Sequence, residues 1–498
     1  MGIVAKQSAR NSVILITGLL LGAVNTMFVL PKAFEGFEEG WGLLRILVAW
    51  GTILAQVLAL GTPSAILRFL PAAKDGRREA SMLSTLCLLP AFALALAGVL
   101  STFASDDLLL TLDADAGYLL QGRVGAFLFM AAAYLAMLLL RAVLTHRLRT
   151  VVITFVQEVW LKGSYLALAL VYLQGWMPFE TFFNWFLYSY AAAVFMMLAE
   201  AWSARATLAK PQFKEDLAPF MEYSLFSLLN GGARVVAKNL DFVMVGALLG
   251  LAVVPRYTFA FFIATVVSMP VRAMSPILQS LTSKAVQHRG PAQCQPELRQ
   301  SARVQLTVTA ALLVAILAGM PALDLALPET YQGLKWVVLA VGLAFAAEAS
   351  GGIAGPILQF SSRYKLSLPI NLGLVLMTVA SNYLFMSWLG WGIEGAALAT
   401  GLTGVWNMGW RTSLMWRLFR IHPFTPQWLG VLALAIGVGC ASLFLHLPER
   451  VIVAGPVWQL AYAVVVGGVA GSLVLGGSWA MGGLPELTAE IQKRRAKR

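Results

Sequence analysis

Long apolar runs separated by short polar breaks cover almost the whole chain. Each run is close to or above twenty residues, the length that an α-helix needs to cross a hydrocarbon core of roughly 30 Å. The pattern predicts an all-α integral membrane protein with fourteen transmembrane helices, numbered here as spans 1 to 14. These predicted spans are residues 11–31, 41–66, 81–103, 117–140, 150–173, 181–203, 220–249, 254–283, 303–327, 332–359, 365–388, 392–417, 427–447 and 454–480.

The basic residues fall in alternate breaks between these spans. With the N-terminus in the cytoplasm, most of the 36 Lys and Arg, Arg411 among them, count with the cytoplasmic side, as the positive-inside rule requires. The opposite side receives only a few cations, including Lys32 and Arg45, together with the acidic loop Asp106–Asp115. A miscounted span would disturb this alternation. The charges therefore favour fourteen spans in the bacterial inner membrane, with the N- and C-termini both cytoplasmic.

Composition supports a lipid environment and excludes several other classes. The chain of 498 residues is 59% hydrophobic and only 12% charged, about half the charged fraction of a soluble domain. The net charge of +12 is explained by the basic residues on the cytoplasmic side of the membrane, so no nucleic-acid partner is expected. Three widely separated cysteines and four scattered histidines predict neither a disulfide framework nor a metal site. Span 1 lacks a small-residue cleavage site and is interpreted as a retained helix.

A weak internal repeat divides the chain at an offset of 212–215 residues. Gly175-Trp176 closes span 5 as Gly390-Trp391 closes span 11, and Pro63 in span 2 corresponds to the Ser275-Pro276 pair in span 8. Such a repeat predicts two six-helix lobes related by an axis along the membrane normal. The expected division is 1–216 for spans 1–6, 217–423 for spans 7–12, and 424–498 for spans 13–14 and a basic tail.

Span 7 carries the most informative charges. Asn230, Arg234, Lys238 and Asp241 are spaced by four, four and three residues, so they share one helix face. An ionisable group at the bilayer centre costs roughly 2.5–3.5 kcal/mol, and the groups retained there usually face a cavity or a partner. The stripe is interpreted as the cationic wall of a substrate cavity. The alternative is a structural pair in which Asp241 neutralises Lys238.

Span 8 repeats this pattern with a second polar line. Ser268, Arg272, Ser275 and Gln279 follow one face, and we predict that Arg272 and Gln279 contribute to the same substrate-binding surface. Arg presents a planar fork of donors that matches phosphate oxygens. A bulky anionic substrate that carries phosphate groups would suit this set of residues.

Two further spans contain acidic groups whose roles stay open. Glu158 precedes Lys162 by four residues in span 5, a spacing that suits an ion pair as well as a substrate contact by Lys162. Glu348 in span 10 stands beside glycines at 351, 352 and 355, where the helix is expected to break. Glu348, Asp241 and Glu158 are candidates for ion coupling by H⁺ or Na⁺, or for charge balance.

Three segments resemble a known family. Leu240–Gly246, Tyr257–Ala260 with the following Pro270 and Ser275-Pro276, and Gly390–Thr400 are similar to segments of the polysaccharide-transporter branch of the multidrug/oligosaccharidyl-lipid/polysaccharide exporter superfamily. The resemblance implies a flippase that moves an undecaprenyl-diphosphate-linked oligosaccharide to the periplasmic leaflet by alternating access. It also implies membrane lipids, glycosyltransferases and a polysaccharide polymerase as partners.

Enzyme motifs are not found in the sequence. There is no GxxxxGK[ST] loop, no HExxH and no G-x-S-x-G elbow, so neither enzymatic activity nor a cofactor is predicted. Three alternatives remain open. A cation-coupled multidrug exporter and a lipid II flippase belong to the same superfamily, and a membrane-embedded O-antigen ligase or polymerase is the alternative of another class.

Overall fold

The computed structural model describes residues 2–73, 75–102, 117–204, 209–211, 213–443, 448, 451 and 455–481. Within these residues every regular element is a helix, and no strand occurs. The acidic loop 106–115 and the basic tail predicted from the sequence lie outside the described residues. An all-helical architecture is what lipid demands, because a helix satisfies its own backbone hydrogen bonds.

A helix lies at each of the predicted spans, and we number these helices α1 to α14 to match. Seven of them are built from consecutive pieces (α1, α5, α7, α8, α9, α10 and α11), and the pieces of α1, α7 and α10 are given separately. The bounds are α1 (Gly2–Val24, Asn25–Val29 and Leu30–Ala33), α2 (Glu38–Leu58), α3 (Gly76–Ser101), α4 (Val124–His146), α5 (Thr150–Leu173), α6 (Phe179–Ser203), α7 (Phe213–Ser227, Leu228–Gly232 and Ala233–Leu249), α8 (Leu251–Arg289), α9 (Pro291–Ala326), α10 (Lys335–Ser350 and Ala354–Phe360), α11 (Tyr364–Trp388), α12 (Gly392–Phe419), α13 (Pro426–Leu443) and α14 (Pro456–Ala480).

Not all of these helices can be assigned as membrane spans from their length and apolar composition alone. Among the described residues ten qualify, and the bent pair that forms α10 raises the number to eleven. α7 fails because Arg234, Lys238 and Asp241 stand close together, α12 because it is rich in Gly, Thr and Trp, and α13 because it is short. Fourteen crossings therefore stay a prediction, while a multi-pass helical membrane protein is established.

The helices form two compact units, Met1–Pro255 and Arg256–Arg498. The boundary differs from the division at residue 216 that the repeat predicts, because α7 packs within the first unit. α2 lies against both α4 and α7. Gly42 of α2 faces the carbonyl of Leu251 so closely that a Cβ would collide with it, and Gly246 of α7 faces Ile46 in the same way. The repeat-based lobes stay a prediction.

The second unit is organised around α9. α10, α13 and α14 all pack along it, and small residues bring the backbones close together. A Cβ at Gly319 would lie 2.8 Å from the carbonyl oxygen of Ala463, and one at Gly471 would lie 3.0 Å from that of Ala311. Close approach of this kind stabilises helix pairs in lipid, where packing replaces the hydrophobic effect. α13 and α14, which lie outside the sequence repeat, are thus firmly packed in this unit.

Several helices carry local irregularities. Single π-turns interrupt α1 at Asn25–Val29, α5 at Val156–Trp160 and α7 at Leu228–Gly232, and a π-turn at Tyr383–Trp388 ends α11. Such turns often lie at functional sites. α10 bends by 51° between its two pieces, where Gly352 adopts a φ of +56°. The break that the sequence predicts beside Glu348 is therefore present.

Candidate functional site

The polar stripe of α7 exposes cations in the middle of an apolar helix. Arg234 and Lys238 are exposed, and Asn230 is half-buried. Asp241 is buried, with only 5% of its surface exposed. The spacing of four residues places the two cations one turn apart on the same face. The α7 stripe, comprising these four residues, thus has two accessible positive groups and an acidic group at its buried end.

A local change in the helix precedes this stripe. The π-turn Leu228–Gly232 ends at two glycines, as expected for a Gly-Gly pair that loosens a helix. A Cβ on Gly232 would lie 3.3 Å from Cγ of Gln56 in α2. The missing side chain therefore admits α2 closely at the start of the stripe.

Arg45 of α2 is a residue that the sequence reasoning missed. It was assigned to a loop on the side opposite the cytoplasm, but it lies two turns inside α2 and is half-buried. Its guanidinium carbon is 3.6 Å from the ring centroid of Phe242, the residue that follows Asp241. A desolvated cation–π contact of this kind is worth about 2 kcal/mol. The sequence did indicate a position inside a span, because Arg45 stands within the apolar run Leu43-Leu44-Arg45-Ile46-Leu47.

Glu158 and Lys162 of α5 form the ion pair that their spacing permits. Lys162 Nζ lies 2.6 Å from Glu158 Oε2, and both side chains are about one third exposed. The π-turn of α5 includes Glu158. Two glycines of α1 cover the pair: a Cβ at Gly18 would lie 2.6 Å from Cβ of Glu158, and one at Gly22 would lie 3.6 Å from Cδ of Lys162. The structure thus supplies Lys162 with a partner on its own helix.

The polar line of α8 lies in the second unit. Arg272 and Gln279 are exposed, Ser268 is buried and Ser275 is half-buried. Gln279 Nε2 donates to Ser275 Oγ at 3.0 Å, which holds the amide along the helix surface. Arg272 makes no salt bridge with any acidic residue in the part of the chain that the structure describes. It is therefore a third exposed cation on an apolar span.

The region around the bend in α10 contains a second missed arginine. Glu348 is exposed just before the bend. Arg411 was counted with the cytoplasmic loops, but it is half-buried within α12. Its guanidinium donates to Asn407 at 2.9 Å and to Asn371 of α11 at 3.3 Å, two buried amides. A Cβ on Gly355 would lie 2.6 Å from Arg411 Nη1. Arg411 is thus a satisfied internal group that joins α10, α11 and α12.

No metal-binding cluster is found. Within the described ranges no three His, Cys, Asp or Glu side chains come close enough to hold a metal ion. The accessible ionisable groups on the spans include the cations Arg234, Lys238 and Arg272 and the acidic Glu348, and ionisable groups within membrane spans often mark a substrate or ion pathway. The fold and these groups together define a multi-pass helical membrane protein with accessible ionisable groups on its spans.

Comparison with solved structures makes the class more specific. The chain is similar to the lipid II flippase MurJ in an inward closed conformation, with a TM-score of 0.69 at 11% sequence identity over 97% of this chain and 100% of that one. It is also similar to an inward-facing multidrug resistance transporter of the MATE family, with a TM-score of 0.58 at 15% identity over 83% of this chain and 99% of that one. A transporter of the multidrug/oligosaccharidyl-lipid/polysaccharide (MOP) superfamily from Pyrococcus furiosus gives a TM-score of 0.52 at 16% identity, over 83% of this chain and 95% of that one.

These similarities establish the MOP-type transporter fold. No protein-family model and no curated protein sequence matches the chain. The neighbours are transporters and flippases rather than enzymes, in agreement with the prediction that the chain is not an enzyme. The fold that the resemblance implies is thus confirmed, and membership of the superfamily and of its polysaccharide branch stays a prediction.

Proposed function

We propose that this chain flips an undecaprenyl-diphosphate-linked oligosaccharide from the cytoplasmic to the periplasmic leaflet of the bacterial inner membrane by alternating access. The observation that carries the proposal is the exposure of Arg234, Lys238 and Arg272 on otherwise apolar spans. Placing such cations in lipid is unfavourable, so an accessible cation on a span is expected to face an aqueous cavity or an anionic ligand.

The chemistry of these cations fits a diphosphate. Arg234 and Arg272 each offer a planar fork that donates two parallel hydrogen bonds to phosphate oxygens, and Lys238 adds a compact positive charge. Asn230 and Gln279 supply amide groups for sugar hydroxyls. A membrane potential that is negative inside favours outward movement of an uncompensated anion by about 2.3 kcal/mol per charge per 100 mV.

The two C-terminal helices favour a lipid-linked substrate over a multidrug exporter. The MATE-family neighbour covers 83% of the chain, whereas the flippase covers 97%. The match to the flippase leaves only about fifteen residues of this chain unmatched. The flippase must therefore have counterparts for most of α13 and α14. These helices pack on α9. A lipid II flippase is accordingly the second candidate, and it differs from the first only in the sugar that the lipid carries.

Measurement of glycan export in cells tests the proposal. Cells that lack the chromosomal gene and express the Arg234→Ala or Arg272→Ala variant should lose surface polysaccharide and accumulate its lipid-linked precursor. Arg363→Ala, an exposed arginine between α10 and α11, is the matched control and should export normally. Rescue of cells depleted of their lipid II flippase, without any effect on surface polysaccharide, would select the second candidate instead.

Cysteine labelling tests the topology on which the direction of transport depends. Arg420→Cys, between α12 and α13, and His288→Cys, at the end of α8, should be labelled only from the cytoplasm. Trp391→Cys and Gly455→Cys, which precede α12 and α14, should be labelled only from the periplasm. Labelling of Arg420→Cys and Gly455→Cys from the same side would remove α13 as a membrane crossing.

A further inference from the structure

A cavity of about 560 Å³ lies between α8 and α9 in the second unit. The two helices meet at the tight turn of Gly290, where φ is +81°, and the cavity opens above this turn. Its volume lies within the range of roughly 300–1,000 Å³ that ligand pockets have. The residues that line it are Met274, Leu278, Leu281, Thr282, Ala285, Arg289, Cys294, Glu297, Gln300, Ser301, Val304 and Ile353.

The interior of this α8–α9 cavity is apolar. The hydroxyls on its floor are satisfied by protein groups: Thr282 donates to the carbonyl of Leu278 at 2.6 Å, and Ser301 donates to that of Leu298 at 3.0 Å. Leu281, on the cavity wall, is also 59% exposed. The cavity therefore offers a hydrocarbon surface that continues onto the outside of α8. A flexible apolar chain suits such a space better than a sugar does.

The end of the cavity next to the turn is charged. Arg289 Nη2 lies 2.6 Å from Glu297 Oε1. The second carboxylate oxygen of Glu297 is buried and has no hydrogen-bond donor among the residues that the structure describes. A buried carboxylate oxygen without a donor is costly. The pair thus presents a positive group for an anion and an unsatisfied acceptor for a cationic N–H donor.

From these features we infer that the α8–α9 cavity binds an aminophospholipid such as phosphatidylethanolamine. An acyl chain fills the apolar interior, the phosphate contacts Arg289, and the primary ammonium donates to Glu297. The site has one charge of each sign, which matches a zwitterionic headgroup. Phosphatidylglycerol has no ammonium group to donate to Glu297, and the quaternary ammonium of phosphatidylcholine has no N–H group.

The cavity lies on α8 next to the polar line of that helix. The cavity residues 274, 278, 281, 282, 285 and 289 follow one face of α8, while the polar line through Arg272 and Gln279 follows the adjacent face, about 100° away. A lipid held between α8 and α9 therefore acts on the helix that carries Arg272 without contacting Arg272. The site does not depend on which lipid-linked substrate is transported.

Native mass spectrometry of the purified full chain tests the inference. The probes are phosphatidylethanolamine, phosphatidylglycerol and phosphatidylcholine of identical acyl chains, each titrated alone. The wild type should bind phosphatidylethanolamine about tenfold more tightly than phosphatidylcholine, because one charged hydrogen bond is worth about 1.4 kcal/mol. The isosteric variant Glu297→Gln should lose most of this preference. Tighter binding of phosphatidylglycerol than of phosphatidylethanolamine would overturn the headgroup assignment.

A matched pair of substitutions tests the location. Ala285→Phe fills the cavity, whereas Ala273→Phe adds the same ring to an exposed position of α8 that does not line it. Binding should fall about tenfold only in Ala285→Phe. Phosphatidylethanolamine with a photoreactive acyl chain should crosslink to residues 278–304, a readout that the wild type provides without any variant. Crosslinks confined to other helices, or equal binding by both variants, would contradict the proposal.

Discussion

The charged faces of α5 and α7 lie in the same compact unit and differ in how far their cations are exposed. On α5, Lys162 contacts Glu158 at 2.6 Å, and glycines 18 and 22 of α1 cover the pair. On α7, Arg234 and Lys238 are exposed along one face. A cation that is paired on its own helix has little need of a ligand, so we expect Lys162 to be structural. We expect the exposed Arg234 to contact the substrate, and this difference between the two helices can be tested.

The largest effect is expected for the exposed cations. Arg234→Ala should reduce glycan export by about 100-fold, because a lost bidentate phosphate contact costs about 2–3 kcal/mol. Membrane abundance should stay close to that of the wild type, since Arg234 is exposed. Arg234→Lys should retain part of the activity, because the ammonium keeps the charge but loses the fork. Export and abundance measured in the same cells separate a transport defect from a folding defect.

A smaller effect, on folding rather than on transport chemistry, is expected where α1 covers α5. Gly18→Leu places a side chain where a Cβ already comes within 2.6 Å of Glu158, and overpacking of this kind costs about 1–3 kcal/mol. The protein should show a lower melting temperature in detergent and lower abundance. Gly98→Leu in α3, where a Cβ meets nothing within 4 Å, is the matched control. Equal melting temperatures for the two variants would contradict the close contact between α1 and α5.

Arg45 extends the comparison to α2. Arg45→Leu removes the cation from the Phe242 ring, 3.6 Å away, and should lower the melting temperature by an amount that corresponds to about 2 kcal/mol or less. Phe242→Leu should have a similar effect. The double variant should cost less than the sum of the two single variants, because they share one contact. Strict additivity in this cycle would show that the cation–π contact contributes nothing.

The smallest effect is expected for the α5 pair itself. Because both side chains are about one third exposed, the net contribution of the pair to stability should be about 1 kcal/mol or less. Lys162→Met should lower abundance slightly, and the double change with Glu158→Gln should restore it. Export per molecule should be unchanged in both variants. A loss of export at normal abundance in Lys162→Met would move Lys162 into the substrate-binding group and weaken the comparison.

The positions of most helices could be predicted because lipid requires long apolar runs, whereas α7, α12 and α13 are less apolar or shorter and were placed by the polar breaks on either side. Irregularities within the helices could be predicted where glycines cluster, as at the π-turn that includes Gly231-Gly232 and at the bend beside Glu348. The sequence was less informative about α2 and α12: Arg45 and Arg411 were assigned to loops, because the alternation of charge does not distinguish a loop cation from one that a partner holds inside a span. Only the structure reveals those partners, Phe242 and the two asparagines at positions 371 and 407. Local spacing did predict the Glu158–Lys162 pair, because both residues lie on one helix.

The most direct test of the central claim is a flipping assay with the purified protein in liposomes. A fluorescent undecaprenyl-diphosphate oligosaccharide is incorporated, and its exposure on the opposite leaflet is followed with a reagent that does not cross the membrane. The wild type should expose the lipid much faster than empty liposomes do, and the Arg234→Ala/Arg272→Ala double variant should match the empty liposomes. Flipping by that double variant at the wild-type rate would contradict a role for these two arginines in binding phosphate. No flipping by the wild type, at a potential that is negative on the side of origin, would contradict the transport function.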